Sequence, residues 1–315
     1  MSMEKNMQRR ALVSLATVVS VFVFSQPSIA QTRDRGLALA CEAERSLYYQ
    51  LADSADLQLA AGNWSAGERL IRQALSLEPA NPGNTMLFSN LGVAQMQQGN
   101  YKEAVRSLDI ALIRAPRSST MLSNRAKAYL GLGMTEEALR DIDAVLAIDS
   151  VSEWALQTRA LMRLSNGAER TEDNKEESPE WASDFATLRR HYPTNSWGWF
   201  GGGCEAEGEE DYETAERFWV KTIELEGEKK SEAEREVESE AAFRLAMLRL
   251  RRGELQQAGS LLREQLRRHP KDGKLLAALG WYHRASLLRE ESEADLRLAR
   301  EYGAPQSLIE WIRSR

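Results

Sequence analysis

TMLFSNLGVAQMQQGNYKEAVRSLDIALIRAPR, residues 85–117, carries one glycine break at Gly99 and stops at Pro116. It reads as a helix of about 13 residues, a turn, and a second helix ended by a proline that cannot continue it. Small side chains at Gly92, Ala104 and Ala111 let the two helices approach to roughly 8–10 Å. Leu91, Tyr101 and Leu108 are large and fill the gaps between them.

The same spacing returns along the chain. Aligned on Gly62, Gly99, Gly133 and Gly253, the fifth residue onward is Gly67, Ala104, Ala138 or Ala258. The twelfth is Ala74, Ala111, Val145 or Gln265, and the seventeenth is Pro79, Pro116, Ser150 or Pro270. The first three glycines stand 37 and then 34 residues apart. One such hairpin cannot bury its apolar face alone, so neighbouring copies must stack.

Phe88, Leu91-Gly92, Gly99, Tyr101, Ala104, Leu108, Ala111 and Pro116 together resemble the tetratricopeptide (TPR) repeat. The resemblance covers nearly everything after residue 45. It implies an all-α fold, a right-handed α-solenoid of about seven helix hairpins. The units begin near Tyr48, Thr85, Ser119, Glu153, Ser196, Ser239 and Gly273, after a lead-in helix over 31–47, and residues 305–315 form a capping helix. Unit four holds a charged insertion over 168–177. Unit five has Gly201-Gly202-Gly203 inside its first helix, at about 1 kcal/mol per glycine. Unit seven lacks the turn glycine. Ser231-Glu232-Ala233-Glu234 is a capping box, which predicts that the first helix of unit six begins near residue 232 and is longer than its counterparts.

The amino terminus reads as an address. Lys5, Arg9 and Arg10 precede an uncharged apolar run from Ala11 to Phe24, and small residues follow at Ser28 and Ala30. A basic stub, a short apolar core and a small-x-small exit make a secretory signal over residues 1–30, cleaved after Ala30. The run is shorter than the roughly 20 residues that cross a bilayer, so membrane contact is expected only through this segment before cleavage. The expected location is the periplasm or cell envelope of a bacterium. Cys41 follows a charged spacer and makes a poor lipoprotein site, and Arg9-Arg10 lacks the flanks of a twin-arginine signal.

Composition narrows the function. A formal net charge of −6 over 315 residues disfavours a general nucleic-acid binder, and a mean hydropathy of −0.48 excludes a multi-span membrane protein. Charge is segregated, with a net of −13 over residues 166–240 and +6 over 241–315. A solvated helix surface accounts for this; steering of an oppositely charged partner is the alternative. The acidic stretch lacks the Asp-x-Asp-x-Asp-Gly pattern of a calcium loop.

No catalytic constellation emerges. The three histidines lie apart, and His191 and His269 each stand close before a proline at a helix end, where a partly cationic imidazole complements the helix dipole. Cys41 and Cys204 are too distant along the array for a disulfide, and Gly201 to Gly203 lacks the trailing Lys-Ser/Thr of a phosphate loop. The expectation is a non-enzymatic protein with no cofactor and no metal.

What remains is a binding surface. At 100° per residue, positions 2, 5, 9 and 12 of each first helix share a face, which in TPR proteins lines the concave groove that takes peptides. In units four to six this face carries Trp154, Leu161, Trp197, Phe200, Cys204, Phe243 and Met247. Contiguous exposed aromatic surface marks an interaction site; packing of the same residues on adjacent units is the alternative. Trp181, Trp199 and Trp219 fall on inter-helix positions and are expected in the core. The carboxylate clamp that some TPR grooves use is not expected: Asn90 of unit two matches one clamp position, but unit one has Ala52 and Asp56 where basic and amide residues would be needed, and unit three has Thr120 and Asn124 in place of cations. The resulting reading is a scaffold or adaptor for a protein or peptide partner. The alternatives are a holder of unfolded envelope proteins, or an accessory subunit of a secretion, pilus or polysaccharide assembly machine.

Ala104→Arg tests the register of the best repeat. Overpacking a helix–helix contact with an unpaired charge should cost about 3 kcal/mol or more. A urea melt close to wild type would mean the register is wrong.

Overall fold

The computed structural model describes residues 47–165, 180–225 and 231–315. The secretory signal, most of the lead-in helix, Cys41 and the insertion over 168–177 lie outside the described residues. Fifteen helices and no strand occur among those described. The fold is all-α. The chain divides between Ala155 and Leu156 into two compact blocks.

In the N-terminal block α1 (Leu47–Ala60) pairs with α2 (Trp64–Leu77), α3 (Asn84–Gln97) with α4 (Tyr101–Arg114), and α5 (Ser119–Gly131) with α6 (Thr135–Ile148). α7 (Glu153–Ser165) begins here and runs into the next block. Stacking is continuous: α2 packs on α3, α4 on α5, and the first helices α3 and α5 also touch. Ala55, Ile71, Ala74, Leu87 and Leu91 form one shared core of the first two repeats. Asn84 stitches the same junction, accepting from Tyr48 Oη at 3.0 Å and donating to the Glu78 carbonyl at 2.7 Å.

The C-terminal block continues with α8 (Glu180–His191), α9 (Ser196–Gly208), α10 (Tyr212–Glu224), α11 (Glu232–Arg251), α12 (Leu255–Arg268), α13 (Gly273–Ala285), α14 (Arg289–Glu301) and α15 (Gln306–Arg313). Hairpins form between α9 and α10, α11 and α12, and α13 and α14; α15 closes on α13 and α14. Leu308, Ile309 and Ile312 of α15 pack in one buried cluster with Leu275, Leu276 and Leu296.

Proline and glycine set the element lengths. α2, α4, α8 and α12 each end two residues before a proline, at Leu77, Arg114, His191 and Arg268. Gly62, Gly99, Gly133 and Gly253 take left-handed backbone in the hairpin turns, with φ between 73° and 79°. In the other two turns that conformation falls on Glu210 (φ 62°) and Leu287 (φ 65°), where an L side chain is strained. The Ser231 capping box forms: its hydroxyl accepts from the Glu234 amide while the Glu234 carboxylate accepts from the Ser231 amide. α11 accordingly starts at Glu232 and runs 20 residues, against 14 or fewer in every other described helix.

The three glycines of α9 have a packing role that outweighs their low helix propensity. A Cβ on Gly201 would stand 2.1 Å from the Phe185 ring of α8, and one on Gly203 would stand 2.3 Å from Trp219 Nε1 of α10. α9 is thin where two large aromatic side chains press on it from opposite neighbours.

A partly buried ion pair recurs in two hairpins and ties their helices in register. Arg125 of α5 donates to Asp141 of α6, 16 residues on, with bonds of 2.8 and 2.6 Å. Arg159 of α7 donates to Asp184 of α8 at 2.9 and 2.7 Å, 25 residues on. The arginines stand 34 residues apart, one repeat period, so the longer reach to Asp184 measures the extra chain between α7 and α8.

Two stability outcomes follow from these contacts. Leu287→Gly should raise stability by about 0.5–1 kcal/mol, since strain relief exceeds the entropy cost of glycine, read in a thermal melt. Asp184→Asn should cost about 3 kcal/mol in a urea melt, because the partly buried Arg159 guanidinium would then face a neutral amide in place of a carboxylate.

Candidate functional site

The candidate surface is the row of side chains on successive first helices. Those from α7 onward, beginning at Gln157, belong to the C-terminal block. Stacking brings α9 against α11, and α11 against α13, so side chains on this face meet one repeat away. That geometry corrects part of the sequence reading. Leu161, Phe200, Phe243 and Met247 were expected to line an exposed groove, and all four are buried. Phe200 packs with Val237, Ala241 and Leu245 of α11. Phe243 and Met247 pack with Leu275 and Leu276 of α13. The first helices lie close enough for these side chains to fill the space between them.

Trp154, Trp197 and Cys204 stay partly exposed. In the N-terminal block Lys127 Nζ sits 4.9 Å from the Trp154 ring centroid, a cation–π contact, and burial pulls the Lys127 ammonium below the ordinary lysine range. In the C-terminal block Trp197 meets Phe200 edge to face at 6.2 Å. Burial pushes the Cys204 thiol up to about 11, with Arg244 opposing the shift, so Cys204 is protonated at neutral pH and a poor nucleophile. Trp181 and Trp219 lie in the core as expected. Trp199 does not: it is half-buried, tilted on Phe218, and donates from Nε1 to the Pro193 carbonyl at 2.8 Å.

Beside these rings runs a ladder of charge that the sequence reading missed. Glu207 of α9 accepts from Arg244 of α11; Arg244 also donates to Glu240 at 3.1 Å; and Glu240 accepts from Lys274 of α13. The Arg244 guanidinium faces the Phe200 ring at 5.9 Å, and Lys274 Nζ faces Phe243 at 5.7 Å. Burial would raise the Glu240 pKa, but Arg244 and Lys274 outweigh it and hold the carboxyl below the usual glutamate range. The partners stand 37 and 34 residues apart. Opposite charges one repeat period apart were the signal available in the sequence.

In the N-terminal block Asn90, which holds the place of Arg244 in its own repeat, donates to Asp56 at 3.0 Å. An acid–amide pair therefore joins first helices α1 and α3 there. His269, expected to be partly cationic, has its pKa lowered by burial, with Glu238 and Asp272 only partly offsetting this. Among the described residues no three His, Cys, Asp or Glu side chains are grouped to hold a metal ion, and no helix is long and apolar enough to cross a membrane.

Residues 53–104 and 89–153 match the tetratricopeptide repeat family model. This stretch is a run of tetratricopeptide repeats. No curated protein matches the chain. Among solved structures, a tetratricopeptide repeat protein from Parabacteroides merdae is similar at 23% identity, over 86% of this chain and 98% of that one, with a TM-score of 0.57. The C-terminal part of a TPR repeat-containing protein from Cytophaga hutchinsonii is similar at 13% identity, over 82% and 98%, with a TM-score of 0.56. At these identities the likeness is one of fold. Tetratricopeptide repeats as a class are binding scaffolds for proteins.

Glu240→Gln should lower stability at neutral pH by about 1–2 kcal/mol, because Lys274 loses its partner and Arg244 keeps only Glu207. A carboxyl whose folded pKa is depressed stabilises the fold above its unfolded pKa and loses that contribution as the pH falls through the folded value. Melts of the two proteins should therefore converge on the acid side of the carboxylate range. A constant gap down to low pH would show that Glu240 acts by packing alone.

Proposed function

We propose that this protein is a non-enzymatic scaffold of the cell envelope that takes a peptide or protein partner along the first-helix row of its C-terminal block. One observation carries the reading: Gln157, Trp197, Cys204 and the Glu207–Arg244–Glu240–Lys274 ladder form a partly exposed row across four successive first helices. Such a row offers an indole for an apolar anchor, with donors and acceptors on either side for a main chain. Trp197 is the anchor, and the buried Phe200 behind it holds the indole edge-on. Placement in the envelope rests on the basic stub, apolar run and small-x-small exit over residues 1–30.

The test is affinity capture from the native cells with the full chain tagged at its C-terminus, beside Trp197→Ala. Wild type should enrich one stoichiometric partner that the variant loses, while the variant melts within a few degrees of wild type. The captured chain should begin at Gln31. Capture of the same partner by both proteins would move the contact elsewhere. A broad set of unfolded clients would replace the scaffold with a holder, and an intact Met1 would remove the envelope assignment.

A further inference from the structure

Gln265 breaks the pattern at its place in the repeat. The equivalent residues are Ala74, Ala111 and Val145, all buried and without a side-chain polar atom to satisfy. Gln265 is equally buried, at 0% exposure, and neither its amide oxygen nor its amide nitrogen has a hydrogen-bond partner. Four residues on, at the C-cap of α12, His269 Nε2 is also buried and unpartnered. An unpaired amide in a protein interior is costly and demands an explanation. Both residues line a cavity of about 990 Å³ bounded by α10, α11 and α12.

The long α11 builds one wall of this cavity. Its additional N-terminal turns supply Arg235 and Glu238 to the lining, α10 supplies Val220 and Ile223, and α12 supplies Leu261. Arg268 donates to Glu238 at 2.8 Å and to Glu264 at 2.9 Å, so charge in the lining is matched from within. Three arginines and three glutamates line the cavity in all, which leaves no net field to select an ion. What stays unmatched is one amide and one imidazole nitrogen beside apolar side chains. The volume lies at the upper end of the range for small-ligand pockets.

We propose that this cavity binds the peptide group of an apolar segment, a neutral amide with an apolar side chain. The ligand C=O and N–H pair with the Gln265 amide N–H and C=O, and its side chain lies against Val220, Ile223 and Leu261. Rotation of the Gln265 side chain between staggered wells turns its amide toward the cavity. His269 supplies a third bond from Nε2, as donor or acceptor according to tautomer; burial keeps the ring neutral. The site lies on α10 to α12 and does not rest on the first-helix row.

The probe is N-acetyl-leucinamide, titrated into the isotope-labelled full chain while the Gln265 side-chain amide resonances are followed by NMR. Their assignment comes from their absence in Gln265→Leu. Saturable movement of these resonances, with a dissociation constant of about 1 mM or tighter, supports the site. Free leucine and 4-methylpentan-2-one, which carry charge or lack the N–H, should leave them in place. Gln265→Leu should melt at or above the wild-type temperature, and Trp197→Ala should keep the full response, which separates this site from the groove. Unmoved resonances would overturn the proposal. So would an equal response to the ketone, which would mean an apolar cavity only. A Gln265→Leu protein that melts several degrees lower would also overturn it, showing that the amide is satisfied within the fold, by water included.

Discussion

Everything in this structure depends on how closely the two helices of a repeat can approach. Ala104 and Ala111, with their counterparts Ala74 and Ala138, are wholly buried between paired helices, and a larger side chain there would push the axes apart. Close pairing turns each hairpin into a flat slab with two apolar faces. A slab cannot bury both by itself, so a packed neighbour on each side is a structural requirement. α15 meets that need with Leu308, Ile309 and Ile312.

Stacking of slabs also decides what the first-helix face can be. Where first helices touch, as α9 and α11 do, aromatic side chains sink into the seam and charged ones are left to bridge over it. Phe200 and Arg244 show the division: the ring is in the core, and the guanidinium lies over it with one carboxylate from each side. The ladder costs desolvation and returns little net stability. It does set which residues of neighbouring repeats stand opposite each other, and it leaves a polar edge beside Trp197.

Much of the fold was legible in the sequence because the signals are local. Turn glycines, terminal prolines and the Ser231 capping box act within a few residues, and the helices begin and end where those residues place them. Side-chain destinations were less legible. Phe243 and Trp154 look alike on a helical wheel; one is buried by α13 and the other caps a lysine, and only the distance between first helices decides between them. The Gly201–Gly203 run reads as a weak helix until Phe185 and Trp219 are seen on either side. Gln265 is the polar residue in a column of Ala and Val, but its lack of partners is a three-dimensional fact.

The pairing of Arg159 with Asp184 has a consequence for how the repeat tolerates change. The two helices find each other through side chains in their middles, as Arg125 and Asp141 do in a repeat with a tight turn. Recognition is thus independent of the connection. Lengthening a connection adds closure entropy only logarithmically, so a hairpin addressed this way can accept new chain at its tip without losing its place in the stack. Every other described turn within a hairpin is held to a single residue of left-handed backbone, so this is the hairpin at which the lineage could add sequence freely.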